Sequence, residues 1–178
     1  MLVGKRLYLR LIEERDIPHK VRWINDPEVR ATLNFDYPIS EVGTRQWLYK
    51  IASDRSRREF IICLKDCDEQ IGYAGLLDID RRNSKAELYM GIGERDHWGK
   101  GYATEARELQ LQYGFVELGL NRLYAFNWVH NEKVLALNKK FGFRVEGTLR
   151  QDVFSHGEFR DRLIMGLLKT DYLRLRNR

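Results

Sequence analysis

Four glycines fall within GIGERDHWGKGYATEA (91–106), and the last two flank Lys100. Backbone this bare turns sharply or lies close against something. Beyond Gly101 the chain takes on a helical pattern. The first turn of a helix leaves its N–H groups unpaired at the electropositive end of the peptide dipoles. Gly99 and Gly101 remove the side chains that would hold a phosphate away from those donors, so the loop is a candidate pyrophosphate cradle. Lys100 reads equally well as an added charge or as a solvated loop lysine.

Two nucleotide motifs fail on spacing. A nucleoside-triphosphate loop needs four residues before its Gly-Lys, then Ser or Thr. Here five separate Gly93 from Gly99-Lys100, and Gly101 follows the lysine. A dinucleotide fingerprint from Gly99 or Gly91 needs a third glycine where the chain has Thr104 or Asp96.

The elements that must position this loop are legible from period and punctuation. Strands are expected at 6–12, 59–65, 70–80, 85–93, 121–129, 144–155 and 158–169, with His156-Gly157 as the hairpin turn of the last two. Helices are expected after Asp16 as N-cap, from Ser40 to about Ser53, from Tyr102 to Val116, and from Asn131 to Gly142. Tyr102, Ala106, Leu109, Tyr113 and Val116 share one face of the third. The order predicts a single mixed α/β domain over residues 1–178. Its strand–helix–strand crossover from 85 to 129 makes those flanking strands parallel and right-handed if adjacent.

Composition narrows the function. At 178 residues and 43% hydrophobic the chain supports a real core, and its apolar runs are too short to span a bilayer. Cys63 and Cys67 lack a second Cys/His pair at metal-site spacing and read as reduced thiols of a cytoplasmic protein, with no metal. The net charge of +5 suits a phosphate-bearing ligand, but the charges are dispersed. No basic-aromatic stripe supports direct nucleic-acid binding. The basic tail RLRNR (174–178) reads as a frayed, solvated end.

HWGKGYATEA resembles the acetyl-CoA loop of the GNAT N-acetyltransferases, whose pattern is Gln/Arg-x-x-Gly-x-Gly/Ala. NEKVLALNKKFGF is similar to that family's Asn-x-x-Ser-x-x-Leu-Tyr-x-x-x-Gly-Phe block. The opening GKRLYLRLIEERD, WINDPEVR and the ending EGTLRQDVFSHGEFRDRLIMGLLKTDY resemble the Rim-type ribosomal-protein N-terminal acetyltransferases and the related spermidine acetyltransferases. The resemblance implies a central sheet with a V-shaped splay between the strands at 85–93 and 121–129, flanked by about four helices. It implies that acetyl-CoA is the cosubstrate, gripped at its pyrophosphate around Gly99, Lys100, Gly101, Tyr102, Ala103 and Thr104. Asn131 would contact the pantetheine, and it also reads as a plain N-cap. Asp96 departs from the family's Gln/Arg. Asn138 takes the catalytic position of the tyrosine that often protonates the departing thiolate, and asparagine cannot be an acid near neutral pH.

Acetyl transfer to an amine needs positioning, an oxyanion donor and a base, and no protein nucleophile. Glu87 is the base candidate. In KAELYMGIG, Ala86, Leu88, Met90 and Ile92 make one apolar face, and Glu87 and Tyr89 point the other way, toward the cleft of this architecture. The same alternation fits a surface glutamate. His97 reads as a loop residue rather than a base. The favoured acceptor is a protein N-terminal α-amine, with a ribosomal protein as one partner; a polyamine or a nucleotide-linked amino sugar is the alternative. Glu13, Glu14, Asp16, Asp26, Glu28 and Asp36 crowd the N-terminal third, as a polyamine site would want, but basic residues alternate with them. A non-catalytic acyl-CoA-binding module is the reading from another class. A homodimer through the C-terminal strands is a further implication of the resemblance.

Overall fold

The computed structural model describes residues 1–31, 33, 37–155 and 157–176. Eight strands form one sheet in the order β1-β2-β3-β4-β5-β6-β8-β7: β1 (Leu2–Val3), β2 (Leu7–Leu11), β3 (Arg58–Leu64), β4 (Gln70–Asp80), β5 (Lys85–Ile92), β6 (Arg122–Trp128), β7 (Arg144–Ser155) and β8 (Glu158–Leu168). Among the described residues six α-helices accompany it: α1 (Ile17–Asn25), α2 (Pro27–Arg30), α3 (Glu41–Ile51), α4 (Tyr102–Gln112), α5 (Glu132–Lys140) and α6 (Lys169–Arg176). The four expected helices are present. The two additional ones are a single turn capped by Asp26 and a C-terminal helix that begins at Lys169, the expected end of the last strand, and takes in residues 174–176 of the tail expected to fray. Asn177 and Arg178, at the end of that tail, lie outside the described residues, as do His156 of the expected hairpin turn and Asp36.

The sheet is antiparallel except where β5 meets β6, the one parallel pair among the described residues. That ladder has only three rungs, Lys85↔Arg122, Ala86↔Leu123 and Glu87↔Tyr124. Past Glu87, β5 stays paired with β4 through Ile92, and β6 stays paired with β8 through Trp128. The two strands therefore part from each other while each keeps its outer neighbour. This is the expected V.

Packing on both faces explains the strand sequences. In β3, Phe60, Ile62 and Leu64 enter a core shared with α4, while Ile61 and Cys63 enter a second cluster with Trp23 of α1 and Tyr73. A strand covered on both sides reads as a continuous apolar run, as EFIICLK does. In β5, Ala86 and Leu88 are fully buried in the first core, and Tyr89 packs on the second cluster.

Two local expectations change. Asp16 does precede α1, but its carboxylate does not cap it. It accepts from both terminal nitrogens of Arg10, at 2.7 and 2.6 Å, and from the Glu13 N–H. A buried ion pair outcompetes the cap. The helix expected through Val116 stops at Gln112 and continues as a wider turn over Tyr113–Glu117, with Leu118 N–H bonded back to Tyr113. The wide turn shifts the register, so Phe115 becomes fully buried and Val116 is exposed.

Candidate active site

The four glycines of the 91–106 stretch divide between two tasks. A Cβ on Gly93 would collide with the Trp23 ring at 2.2 Å, and one on Gly91 would meet the Tyr73 hydroxyl at 2.9 Å. These two admit the aromatic cluster behind the strand. Gly99 and Gly101 instead sit in the left-handed region, at φ 75° and 82°, and Gly101 is the N-cap of α4. A Cβ on Gly99 would face open space.

The first bond of α4 runs from Glu105 N–H to Gly101 C=O, so the amides of Tyr102, Ala103 and Thr104 have no carbonyl of the helix to meet. That bare, electropositive end fits a diphosphate. Arg6, which no motif singles out in the sequence, holds the loop from the start of β2. Its guanidinium donates to Lys100 C=O at 2.9 Å, pairs with Glu105 at 3.0 Å and lies 4.5 Å from the Tyr102 ring centroid. His97 is turned away from the cleft. Its Nε2 lies 3.3 Å from Glu69, and its ring packs on Tyr102.

Where β5 and β6 part, a cleft of about 680 Å³ opens. Glu87, Leu88, Tyr89 and Met90 line it from one strand, and Ala125, Phe126, Asn127 and Trp128 from the other. Helices α1 and α3 supply Lys20 and Trp47, and Asn131 and Val134 lie at its α5 side. Glu87 stands in the throat. Burial, reinforced by Asp78 and opposed by Arg162, pushes its carboxyl up to about 7. A carboxylate poised there can take a proton near neutral pH.

Asn131 caps α5, its side chain accepting from Val134 N–H at 3.3 Å, and it also lines the cleft. Asn138 is wholly buried and lies behind Asn127. Its Nδ2 donates to Asn127 Oδ1 at 3.0 Å, while Asn127 faces the cleft. The structure thus brings Glu87 and Asn131 to one cavity. It sets Gly99–Thr104 at the N-terminus of α4 and leaves Asn138 one layer back.

The described acidic residues of that N-terminal group are engaged elsewhere. Asp16 pairs with Arg10, Asp26 caps α2 and pairs with Arg95, Glu28 also pairs with Arg95, Glu14 accepts from Tyr49, and Glu13 lies 3.6 Å from Arg15. Among the described residues, the carboxylates that do line the cleft are Glu59 and Glu87, against Lys20, Arg57, Arg107 and Arg162. Lys20 is buried 3.9 Å from Glu59, with its ammonium 4.0 Å from the Trp47 ring centroid. Burial lowers it to about 8 and raises Glu59, so desolvation outweighs the attraction of the pair. Tyr89 also donates to Glu59. Lys20, Arg57 and Arg107 belong to no motif. The only trace of Lys20 in the sequence is a cation in an otherwise apolar helix pattern.

A sheet opened between two parallel strands, beside a glycine-capped helix start, is the arrangement of an acyl-CoA-dependent transferase. The family described as Acetyltransferase (GNAT) domain matches residues 6–144, and the chain belongs to it. It is 34% identical over 175 residues to the uncharacterized N-acetyltransferase p20 of Bacillus licheniformis, covering 96% of this chain and 97% of that protein. It is 32% identical over 167 residues to the spermidine N(1)-acetyltransferase of Escherichia coli, covering 93% and 87%. Among solved structures it is similar to the spermidine N-acetyltransferase of Vibrio cholerae in complex with CoA and spermine. There the TM-score is 0.86 and the identity 28%, covering 94% of this chain and 98% of that one. The chain is accordingly an acetyl-CoA-dependent N-acetyltransferase.

Proposed function

We propose that the protein transfers acetyl from acetyl-CoA to the primary amine of an aliphatic polyamine, by direct attack within the cleft between β5 and β6. The observation that carries the site assignment is Glu87, raised to about 7 at the throat of a cavity bounded by the two parting strands. The spermidine acetyltransferases among its relatives favour a polyamine over the protein N-terminus expected from the sequence. The amides of Tyr102, Ala103 and Thr104, shaped by Gly99 and Gly101 with Lys100 between them, grip the diphosphate. Asn131 borders the pantetheine. Glu87 takes the proton of the attacking amine, and Asn138 serves by holding Asn127 rather than as an acid. The two free cysteines suit a cytoplasmic setting.

A second reading rests on the charge of the cleft. Among the described residues four cationic side chains and two carboxylates line it, and Lys20 already fills the aromatic and acidic surroundings an ammonium would seek. That balance favours an amine that also carries a carboxylate or phosphate, as a nucleotide-linked amino sugar does. Incubation with acetyl-CoA and spermidine, N-terminal peptides or a nucleotide amino sugar, following free thiol, decides between them. Thiol release with spermidine alone supports the first reading, and release with the anionic amine alone supports the second. Tight CoA binding with no release across the panel makes the protein a non-catalytic binding module.

A further inference from the structure

Arg107 has no established task in this cleft and is the most anomalous group in it. It projects from α4, six residues past the Gly101 cap, about 9 Å along the helix axis at 1.5 Å per residue. The residue is 2% exposed and lines the cavity with Leu88 and Met90 of β5 and Ala125 and Asn127 of β6, all past the last shared rung. Its Nε and Nη1 have no hydrogen-bond partner, and no ion pair reaches it among the described residues. Burial alone acts on it, lowering it to about 10, so it stays charged at neutral pH. A buried cation left unpaired is strongly unfavourable. Fixed donors without a partner suit a negative charge that arrives with the ligand or develops during the reaction.

Two anions develop where an amine attacks a thioester: the oxygen of the tetrahedral adduct and the departing sulfur. We propose that Arg107 is the leaving-group residue, holding the coenzyme A sulfur as a thiolate through an ion pair instead of protonating it. This rests on the acetyl-CoA reading above and is independent of the acceptor. The amine nitrogen forms the C–N bond, and its proton passes to Glu87. The C–S bond breaks with its electron pair going to sulfur, and Arg107 keeps all its protons. The thiolate takes a proton from water on release. Asn138 cannot supply that proton, because an amide is no acid near neutral pH and its Nδ2 is committed to Asn127. Among the described residues, the other charged groups lining the cavity are Lys20, Arg57 and Arg162, with Glu59 and Glu87 opposing them.

The test is a spectrophotometric titration of bound CoA. Thiolate absorbance near 235 nm is followed from about pH 5 to 10, with the apo-protein signal subtracted to remove Cys63 and Cys67. A cysteine thiol ordinarily titrates at about 8.5, and an adjacent cation lowers an acidic group by about one to three units. In the wild type the bound thiol should titrate at least about one unit below free CoA. In Arg107→Met the shift should vanish, in Arg107→Lys part of it should survive, and desulfo-CoA should bind all three alike. Arg107→Gln stands in if the methionine variant fails to fold. If CoA binds and its thiol titrates alike in wild type and variant, the inference is overturned and the acetyl-CoA reading stands. If wild type binds no CoA, both fall.

Discussion

Glu87 and Tyr124 face each other across the last rung that joins β5 to β6, and the carboxyl held there is raised to about 7 by burial. As a base it works in the deprotonated form, so turnover should climb as pH rises through about 7 and level off above it. Glu87→Gln should lower kcat by ~100-fold or more at neutral pH and abolish that limb, with the CoA dissociation constant little changed. Stopped-time assays across pH with calorimetric CoA binding check this. An unaltered pH profile in the variant would take Glu87 out of the mechanism.

Gly101 caps α4 at φ 82°, where an L side chain costs about 1–2 kcal/mol and a β-branched one more. Gly101→Val should abolish CoA binding while circular dichroism still reports a folded protein. Calorimetry showing wild-type affinity in the valine variant would remove the cradle.

Asn131 has two duties that substitution can separate. Asn131→Ala should lose about 1 kcal/mol of unfolding free energy through the lost cap and weaken CoA binding. Asn131→Asp should keep the cap and still bind CoA less well, if the side chain borders the pantetheine. Denaturant titration reads the first effect, and CoA affinity reads the second.

Lys20 reports on the acceptor. Its folded pKa of about 8 lies below the ordinary 10.5, so the unfolded chain holds the extra proton between those values. Stability should therefore rise with pH from about 8 toward 10.5, and Lys20→Met should flatten that rise. The same change removes a cation from the cleft. It should raise kcat/KM for spermidine by about tenfold if a polyamine is the substrate, and lower it for an anionic amine. Initial-rate comparison of the two acceptors distinguishes these.

Backbone-coded features were the most legible. The alternation in KAELYMGIG placed Glu87 and Tyr89 opposite the apolar face, and Gly99, Gly101 and Asn131 marked turns and caps that are present. The end of α4 was not legible. A wide turn at Tyr113–Glu117 obeys no hydrophobic period, and burial chose Phe115 over Val116. The electrostatics of the cleft were hidden for another reason. Lys20, Arg57, Arg107 and Arg162 come from distant stretches of chain and converge only once the sheet has formed. Asp16 looked like a cap because capping is a local property, and the competing Arg10 sits on another element.

The three-rung ladder has a mechanical consequence. It splits the sheet into two slabs, β1 to β5 and β6 to β8, whose strands are hydrogen-bonded to each other, among the described residues, only along their bases, while α4 and the shared core pack across both. A molecule wedged between them and touching both acts as a keystone. Saturating CoA should therefore slow amide hydrogen exchange not only in β5 and β6, which line the cleft, but also in their outer neighbours β4 and β8, and lift the melting temperature of the whole domain as one unit.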